Sequence, residues 1–325
     1  MTCSGLSVKL RKQFKTGPIS LSRLREACYG GRRKAGGDIL TVPMRRTVGL
    51  RHMKKIGLAL GGGGAKGLAH IPMLEVFDDL GIRPYRIAGT SIGAIIGALY
   101  ASGVTGRQIR KNVQNMVVSK GESFRETLKK KDVLKWIEFM DLEFGRHGLF
   151  KGNKVIAFLY QAMGASAFDE LKIPLRVVAT DFWTSRPVVF ESGKLLPAVK
   201  ASMALPGVFM PVTLRGRVLI DGGAVNPVPH DLLGDCDVVV AIDVMGRMGR
   251  KKDKIPNLFR AVLGMFDIMQ NSIIAEKLKN HPPDIYIKPD ITDVDILEFY
   301  KADKIFAQAE AAKRKLKRKL ARWLV

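Results

Sequence analysis

The chain has 325 residues, 46% hydrophobic and 26% charged, a composition that supports a large buried core and excludes a disordered chain. Lys and Arg number 54 against 30 Asp and Glu, a net charge of +24 that favours polyanionic partners such as anionic lipid or nucleic acid and says nothing of fold. Cys3, Cys28 and Cys236 form no C-x-x-C pair, which argues against a disulfide scaffold or a cysteine-rich zinc site and favours a reducing, cytoplasmic compartment.

The charge gathers at the two ends. Residues 1–52 carry 12 Lys/Arg and 2 acids, residues 301–325 carry 9 and 2, and the rest carry 33 and 26. The first segment is broken by Gly17-Pro18, Gly30-Gly31 and Gly36-Gly37, so 1–52 reads as a basic, disordered extension. It lacks the apolar run of a secretory signal, and translation from Met44 or Met53 would remove most or all of it. The domain expected from the remainder spans 53–295.

Within that domain, Lys55 to Leu60 reads as a strand, followed by a glycine run and a helix from Leu68 to Leu80 that Gly81 ends. A second strand over Arg83 to Ala88 leads to a small-residue helix from Ser91 to Ala101. The 20 uncharged residues Ile87 to Gly106 are long enough to span a bilayer, but their glycines and hydroxyls make strand, turn and buried helix the better reading. Residues 108–158 are charged and helical in pattern, an inserted helical cap. Leu175 to Thr180, Pro187 to Phe190, Val218 to Ile220 and Val238 to Val244 are continuous β-branched runs of the kind buried on both faces, which calls for helices on either side of the sheet.

Arg247 to Pro256 is a cationic loop leading into a helix over Asn257 to Leu278, where Leu258, Val262, Met265, Phe266, Met269, Ile273 and Ile274 recur at helical spacing. Core packing is the expected use of that stripe, with a lipid-facing surface as the alternative. Residues 296–325 form a weakly amphipathic basic helix, read first as a solvated face and second as a contact for anionic membrane or nucleic acid.

The glycine run Gly61-Gly62-Gly63-Gly64-Ala65-Lys66-Gly67 admits two functions. Gly62, Gly64 and Gly67 satisfy the dinucleotide fingerprint, yet Leu80 to Gly121 holds no acid to bind a ribose, and Lys66 is followed by Gly67 rather than by the Ser or Thr of a Walker loop. The other function is to present backbone amides to a developing oxyanion, which requires a nucleophile nearby. Gly89-Thr90-Ser91-Ile92-Gly93 supplies G-x-S-x-G between strand and helix, the arrangement of a nucleophile elbow, although Ser91 could equally cap the helix. His52, His70, His147 and His281 sit in contexts that suggest surface or packing roles, leaving His230 as an outside candidate for a base. Asp221 stands at the end of an apolar strand before Gly222 and Gly223, where it could act as a buried base or simply cap the turn.

Together Gly62-Gly63-Gly64-Ala65-Lys66-Gly67, Gly89-Thr90-Ser91-Ile92-Gly93 and Asp221-Gly222-Gly223 resemble the patatin-like phospholipase family, bacterial branch, in order and spacing. Val178-Ala179-Thr180-Asp181 and Ala201-Ser202-Met203-Ala204-Leu205-Pro206 add to the likeness, which runs from Ile56 to about Val244. The resemblance implies an α/β fold, a three-layer α/β/α sandwich with a mostly parallel sheet, and hydrolysis of lipid acyl esters of phospholipase A, lysophospholipase or esterase type. It implies a Ser91–Asp221 dyad without histidine, metal or cofactor, and an oxyanion hole from the amides of Gly62, Gly63 and Gly64. Lys66, Gly67, Gly89, Gly93, Gly222 and Gly223 would then support the motifs. Two other classes stand beside it: a dinucleotide-dependent enzyme, and a basic scaffold that binds membrane or nucleic acid without chemistry. The classes can combine, since cationic flanks would hold a hydrolase at the periphery of an anionic inner leaflet.

Overall fold

The β-branched runs form one central sheet. The computed structural model describes residues 54–118, 164–246, 255 and 258–323. The chain divides into two units, Met1–His52 and Met53–Val325, and every described residue falls in the second. The basic extension, His52, His147, most of the 108–158 insertion and all of the cationic loop but Ile255 lie outside the described residues.

The strands are β1 (Ile56–Leu60), β2 (Arg86–Thr90), β3 (Leu175–Asp181), β4 (Arg186–Phe190), β5 (Val212–Leu214), β6 (Arg217–Asp221), β7 (Val238–Ile242) and β8 (Ile285–Ile287). Their order is β5-β6-β3-β2-β1-β7-β8, with β4 also paired to β3. Pairing is parallel from β3 through β2, β1 and β7 to β8, and antiparallel where β4, β5 and β6 join.

The helices are α1 (His70–Asp79), α2 (Ile92–Ala101), α3 (Gly106–Val118), α4 (Leu195–Ser202), α5 (Leu258–Asn280) and α6 (Ala302–Ala321). Side chains of successive strand residues face opposite ways. Leu58 and Leu60 of β1, with Val240 and Ile242 of β7, join a large core with Phe77 of α1, Leu99 of α2, Val199 of α4 and Phe306 of α6. Ala59, Ala88 and Ala241 join a smaller core on the other face with Leu233 and with Ile274 of α5. The result is the three-layer α/β/α sandwich. No helix among the described residues is long and apolar enough to cross a membrane.

The register of β3 places two strand ends together. Its residues Leu175 to Val178 pair with β2 on one edge, and Val177 to Asp181 pair with β4 on the other. Ala179 to Asp181 also pair with β6, and because β4 already occupies the far edge, β6 must continue along the edge that β2 leaves at Thr90. Strands β2 and β6 therefore run toward each other in one lane and stop with Thr90 opposite Val178 and Asp221 opposite Ala179.

Two helices differ from the sequence expectation. The stripe of α5 splits: Ile274 is buried, whereas Leu258, Val262, Met265 and Met269 are exposed, so core packing accounts for only part of it. Periodicity reveals an apolar face but not whether anything covers it. The apolar stripe of α6 does the opposite, with Ile305, Phe306, Leu316 and Leu320 all buried. Glu75 of α1 binds both Arg110 of α3 (2.5 Å) and Lys313 of α6 (2.6 Å), so part of that helix's charge is engaged within the fold. Lys317 also pairs with Asp79 at 3.4 Å, and Arg314, Lys315 and Arg318 lie on its exposed side.

Leu316→Ala should therefore cost about 2–5 kcal/mol in urea unfolding, the range for a leucine removed from a packed core, and Lys315→Ala no more than about 0.5 kcal/mol. Equal small effects from both would contradict the docking of α6 into the core.

Candidate active site

The lane shared by β2 and β6 ends at Ser91 on one side and Asp221 on the other. Ser91 occupies the turn into α2 with φ 54 and ψ −123, a conformation that costs a residue with a side chain roughly 1–3 kcal/mol. The turn is this sharp because α2 folds directly back over the sheet. A side-chain carbon at Gly93 would lie 2.1 Å from the Leu60 carbonyl oxygen, and one at Gly89 would lie 2.6 Å from the Gly93 carbonyl oxygen. Glycine at both flanks of Ser91 is thus a packing requirement.

Ser91 Oγ donates to Asp221 Oδ2 at 2.6 Å. The Ser91 amide donates to Ser202 Oγ at 2.8 Å, and Ser202 Oγ donates to the Val178 carbonyl at 2.5 Å, which fixes the turn to β3. Ser202 belongs to a block that marked the family likeness without showing what its hydroxyl does. Asp221 is only 2% exposed. Its Oδ1 accepts the Gly223 amide at 2.7 Å, its own amide donates to Ala204 O at 2.9 Å, and its carbonyl accepts Thr180 Oγ1 at 2.9 Å. Burial raises its pKa from 3.8 to about 6, with the Ser91 and Gly223 hydrogen bonds opposing the rise. A carboxylate in that range is a usable base near neutral pH. Gly222 and Gly223 complete the turn, with Gly222 pressed against the Val178 carbonyl and Gly223 against the Gln270 side chain.

The glycine loop is anchored on both sides of its centre. Gly61 donates to Ile242 O at 3.0 Å and its carbonyl meets His70 Nε2 at 2.8 Å, while Ala65 donates to Ile296 O at 2.8 Å. His70 is fully buried, and that burial lowers its pKa to about 4, so it is a neutral donor to the Gly61 carbonyl. The Gly62 amide donates to Pro227 O at 2.9 Å and is already engaged. The amides of Gly63 and Gly64 make no backbone hydrogen bond among the described residues. Their φ values of 153 and 57 belong to glycine and turn the chain at the cavity wall. Gly67 packs against Ile92, and Lys66 lies buried beneath the loop with its Nζ 3.8 Å from Asp267.

Asn226, five residues past Asp221, links these parts. Its carbonyl accepts Thr90 Oγ1 at 2.8 Å and its side chain accepts Lys277 Nζ at 2.6 Å. His230 is not part of the constellation, since its ring nitrogens face the carbonyls of Val228 and His281. Among the described residues no group of three or more His, Cys, Asp or Glu is assembled that could hold a metal ion.

Ser91, Asp221, Gly62, Gly63 and Gly64 line one cavity of about 140 Å³. A single water needs roughly 10–15 Å³ by that measure, so this is not a packing defect. Its walls are mainly apolar, including Ile95 and Leu99 of α2, Val113 of α3 and Phe266 of α5, with Asp267 and Gln270 as further polar groups.

A family model described as patatin-like phospholipase matches residues 58–233. The chain belongs to this family. Among curated relatives, an NTE family protein of Mycobacterium tuberculosis is 29% identical over 225 residues, covering 66% of this chain and 58% of that protein. The neuropathy target esterase sws of Drosophila melanogaster is 34% identical over 194 residues, covering 58% of this chain and 13% of the other. The lysophospholipase nte1 of Aspergillus fumigatus is 28% identical over 281 residues, covering 78% and 17%. The chain thus spans under two thirds of the mycobacterial relative and under a fifth of the other two.

The pKa of Asp221 fixes the sign of a stability effect. An ionised carboxylate costs more in the folded than in the unfolded chain above pH 6, and the cost disappears as pH falls from about 6 to 3.8. Asp221→Asn keeps the acceptor for Gly223 and removes the charge, so at pH 7.5 it should be more stable than wild type by up to about 3 kcal/mol. Thermal unfolding should show this difference shrinking toward zero near pH 4, and a less stable variant at pH 7.5 would refute it.

Proposed function

We propose that the protein is a serine-dependent hydrolase of lipid acyl esters in which Ser91 is the nucleophile and Asp221 the general base. The observation that carries this reading is the 2.6 Å hydrogen bond from Ser91, on a strained turn, to a buried carboxylate of raised pKa at the wall of an apolar cavity.

In the reaction Asp221 takes the Ser91 proton as Oγ attacks the acyl carbonyl carbon. The oxyanion of the tetrahedral intermediate is held by the amides of Gly63 and Gly64, with the N-terminus of α2 adding positive potential. Gly62 positions the loop through Pro227 rather than donating to substrate. Collapse breaks the acyl–oxygen bond, and the leaving alkoxide takes the proton from Asp221. Asp221 then deprotonates a water that attacks the acyl-serine, and the fatty acid leaves as Ser91 recovers its proton.

The apolar cavity walls suit an acyl chain better than a polar group. Family membership, with an esterase and a lysophospholipase among the relatives, supports a phospholipase A, lysophospholipase or esterase activity. The cationic residues of the N-terminal sequence and of the exposed side of α6 favour peripheral attraction to an anionic bilayer at about 1 kcal/mol for each cation near the surface.

Fatty acid release from lysophosphatidylcholine and from short p-nitrophenyl esters tests this directly. Ser91→Ala should lose turnover and fluorophosphonate labelling together while remaining folded. Gly63→Ala, strained at φ 153 and crowding Val244 at 3.0 Å, should lower kcat by about 10²–10³-fold by displacing one oxyanion donor. Turnover surviving in Ser91→Ala would end the reading.

A further inference from the structure

The cavity beside Ser91 has two unlike sides. One follows α2, where Ile92, Ile95, Ile96 and Leu99 recur at spacings that place them on one face of the helix, and Ile109 and Val113 of α3 complete it. All six side chains are hydrocarbon. The other side follows α5, where Asp267 and Gln270 succeed Phe266 on the wall. Gln270 is 5% exposed and its Oε1 has no hydrogen-bond partner among the described residues, while the Asp267 carboxylate stands 3.8 Å from Lys66 Nζ. Covering an unpartnered carbonyl oxygen or a carboxylate with hydrocarbon is unfavourable, because it shuts out every remaining donor. An alkyl chain laid along α5 would do this to both groups. One laid along α2 meets only carbon and gains about fourfold in affinity for each methylene buried.

The fold also sets how far that side reaches. Leu99 is the last residue of α2 on the cavity wall among the described residues, and Ile109 lies in the first turn of α3. Helix α3 begins at Gly106, soon after α2 ends at Ala101, and the two helices pack together, which brings Ile109 to the end of α2 where Leu99 sits. Both are buried. From Ser91, at the start of α2, the helix rises about 12 Å to Leu99 at 1.5 Å per residue. Carbon–carbon bonds of about 1.5 Å meeting at about 111° advance an extended chain by about 1.25 Å per carbon, so this length holds roughly ten carbons.

We infer that the acyl chain of the substrate lies along α2 with its carbonyl at Ser91, and that Leu99 and Ile109 form a stop that sets the preferred chain at about ten carbons. The inference rests on the hydrolase reading, since it names the substrate of that site, but chain binding can be measured without turnover. Leu99 and Ile109 are specificity-determining residues in this account and take no part in the chemistry. Val113, one helical turn from Ile109 and only partly buried, lines the same channel.

The test compares full-length wild type, Val113→Trp and Leu99→Ala on p-nitrophenyl butyrate, hexanoate, decanoate, dodecanoate and tetradecanoate in monomeric solution, and measures binding of free decanoate by calorimetry. Wild type should gain about fourfold in kcat/KM per methylene as far as decanoate and nothing beyond it. Val113→Trp, which fills the channel, should lower the ratio of kcat/KM for decanoate to that for butyrate by about tenfold or more, and weaken decanoate binding by a similar factor. Leu99→Ala, which removes three carbons from the stop, should extend the rise to dodecanoate. Thermal unfolding checks that each variant folds, and the wild-type profile decides alone where one does not. A wild-type profile that is flat from butyrate to decanoate, or still rising at tetradecanoate, overturns the inference. So does an equal loss on both esters in a folded Val113→Trp, or a wild type that binds no decanoate. Decanoate bound by wild type and weakened in Val113→Trp, with no ester cleaved by either, would refute the hydrolase reading and leave the acyl channel standing.

Discussion

A single geometric constraint organises this molecule: one edge of β3 is shared by two strands arriving from opposite directions. Strand β2 delivers Ser91 and strand β6 delivers Asp221, and their ends meet because β3 pairs with one as far as Val178 and with the other from Ala179. Backbone hydrogen bonding thus sets the hydroxyl and the carboxylate 2.6 Å apart before any flexible side chain is involved. Both side chains are short, with few rotors to immobilise, so strand placement is what determines their distance. The hydrogen bonds around the junction, from Thr180 to the Asp221 carbonyl and from the Ser91 amide through Ser202 to Val178, tie it to the same strand.

That arrangement is costly and needs a rigid frame. Ser91 is held at a positive φ, and Asp221 is buried with few polar partners, each unfavourable by an amount that matters against a net stability of roughly 5–15 kcal/mol. The frame comes from the two cores on the sheet faces and from α6, which closes over α1 through Leu316, Leu320 and the Glu75 cluster. Nearby anchors act on backbone rather than on side chains. His70 holds the Gly61 carbonyl, Pro227 holds the Gly62 amide and Ile296 holds Ala65, leaving Gly63 and Gly64 as the part of the loop whose amides are not engaged by backbone. The resemblance implies three oxyanion amides, and of these the Gly62 amide already donates to Pro227 O.

Much of this was legible in sequence because it is local. Glycines beside Ser91 and the strand-terminal position of Asp221 are features of short segments, and the β-branched runs located most central strands to within a few residues. The partners of those segments are not local. Nothing near Gly62 indicates Pro227, and nothing near Ser91 indicates Ser202, since both contacts arise from the sheet order. Short elements such as β5, β8 and α4 left no period long enough to read. The amphipathic helices show the remaining limit most clearly. Both α5 and α6 have an apolar stripe, yet α6 packs its stripe into the core while α5 exposes much of its own. Sequence period describes a helix, whereas burial depends on what the rest of the chain places beside it.

The most direct measurement of the central claim is the pH dependence of covalent labelling of Ser91 by a fluorophosphonate, because labelling needs the nucleophile and its base but no lipid. If Asp221 is the base, the labelling rate of wild type should rise through a single titration near pH 6, where the buried carboxylate ionises. Asp221→Asn should label slowly with no inflection in that range. A titration near pH 6 that persists in Asp221→Asn would assign the base to another group and contradict the account.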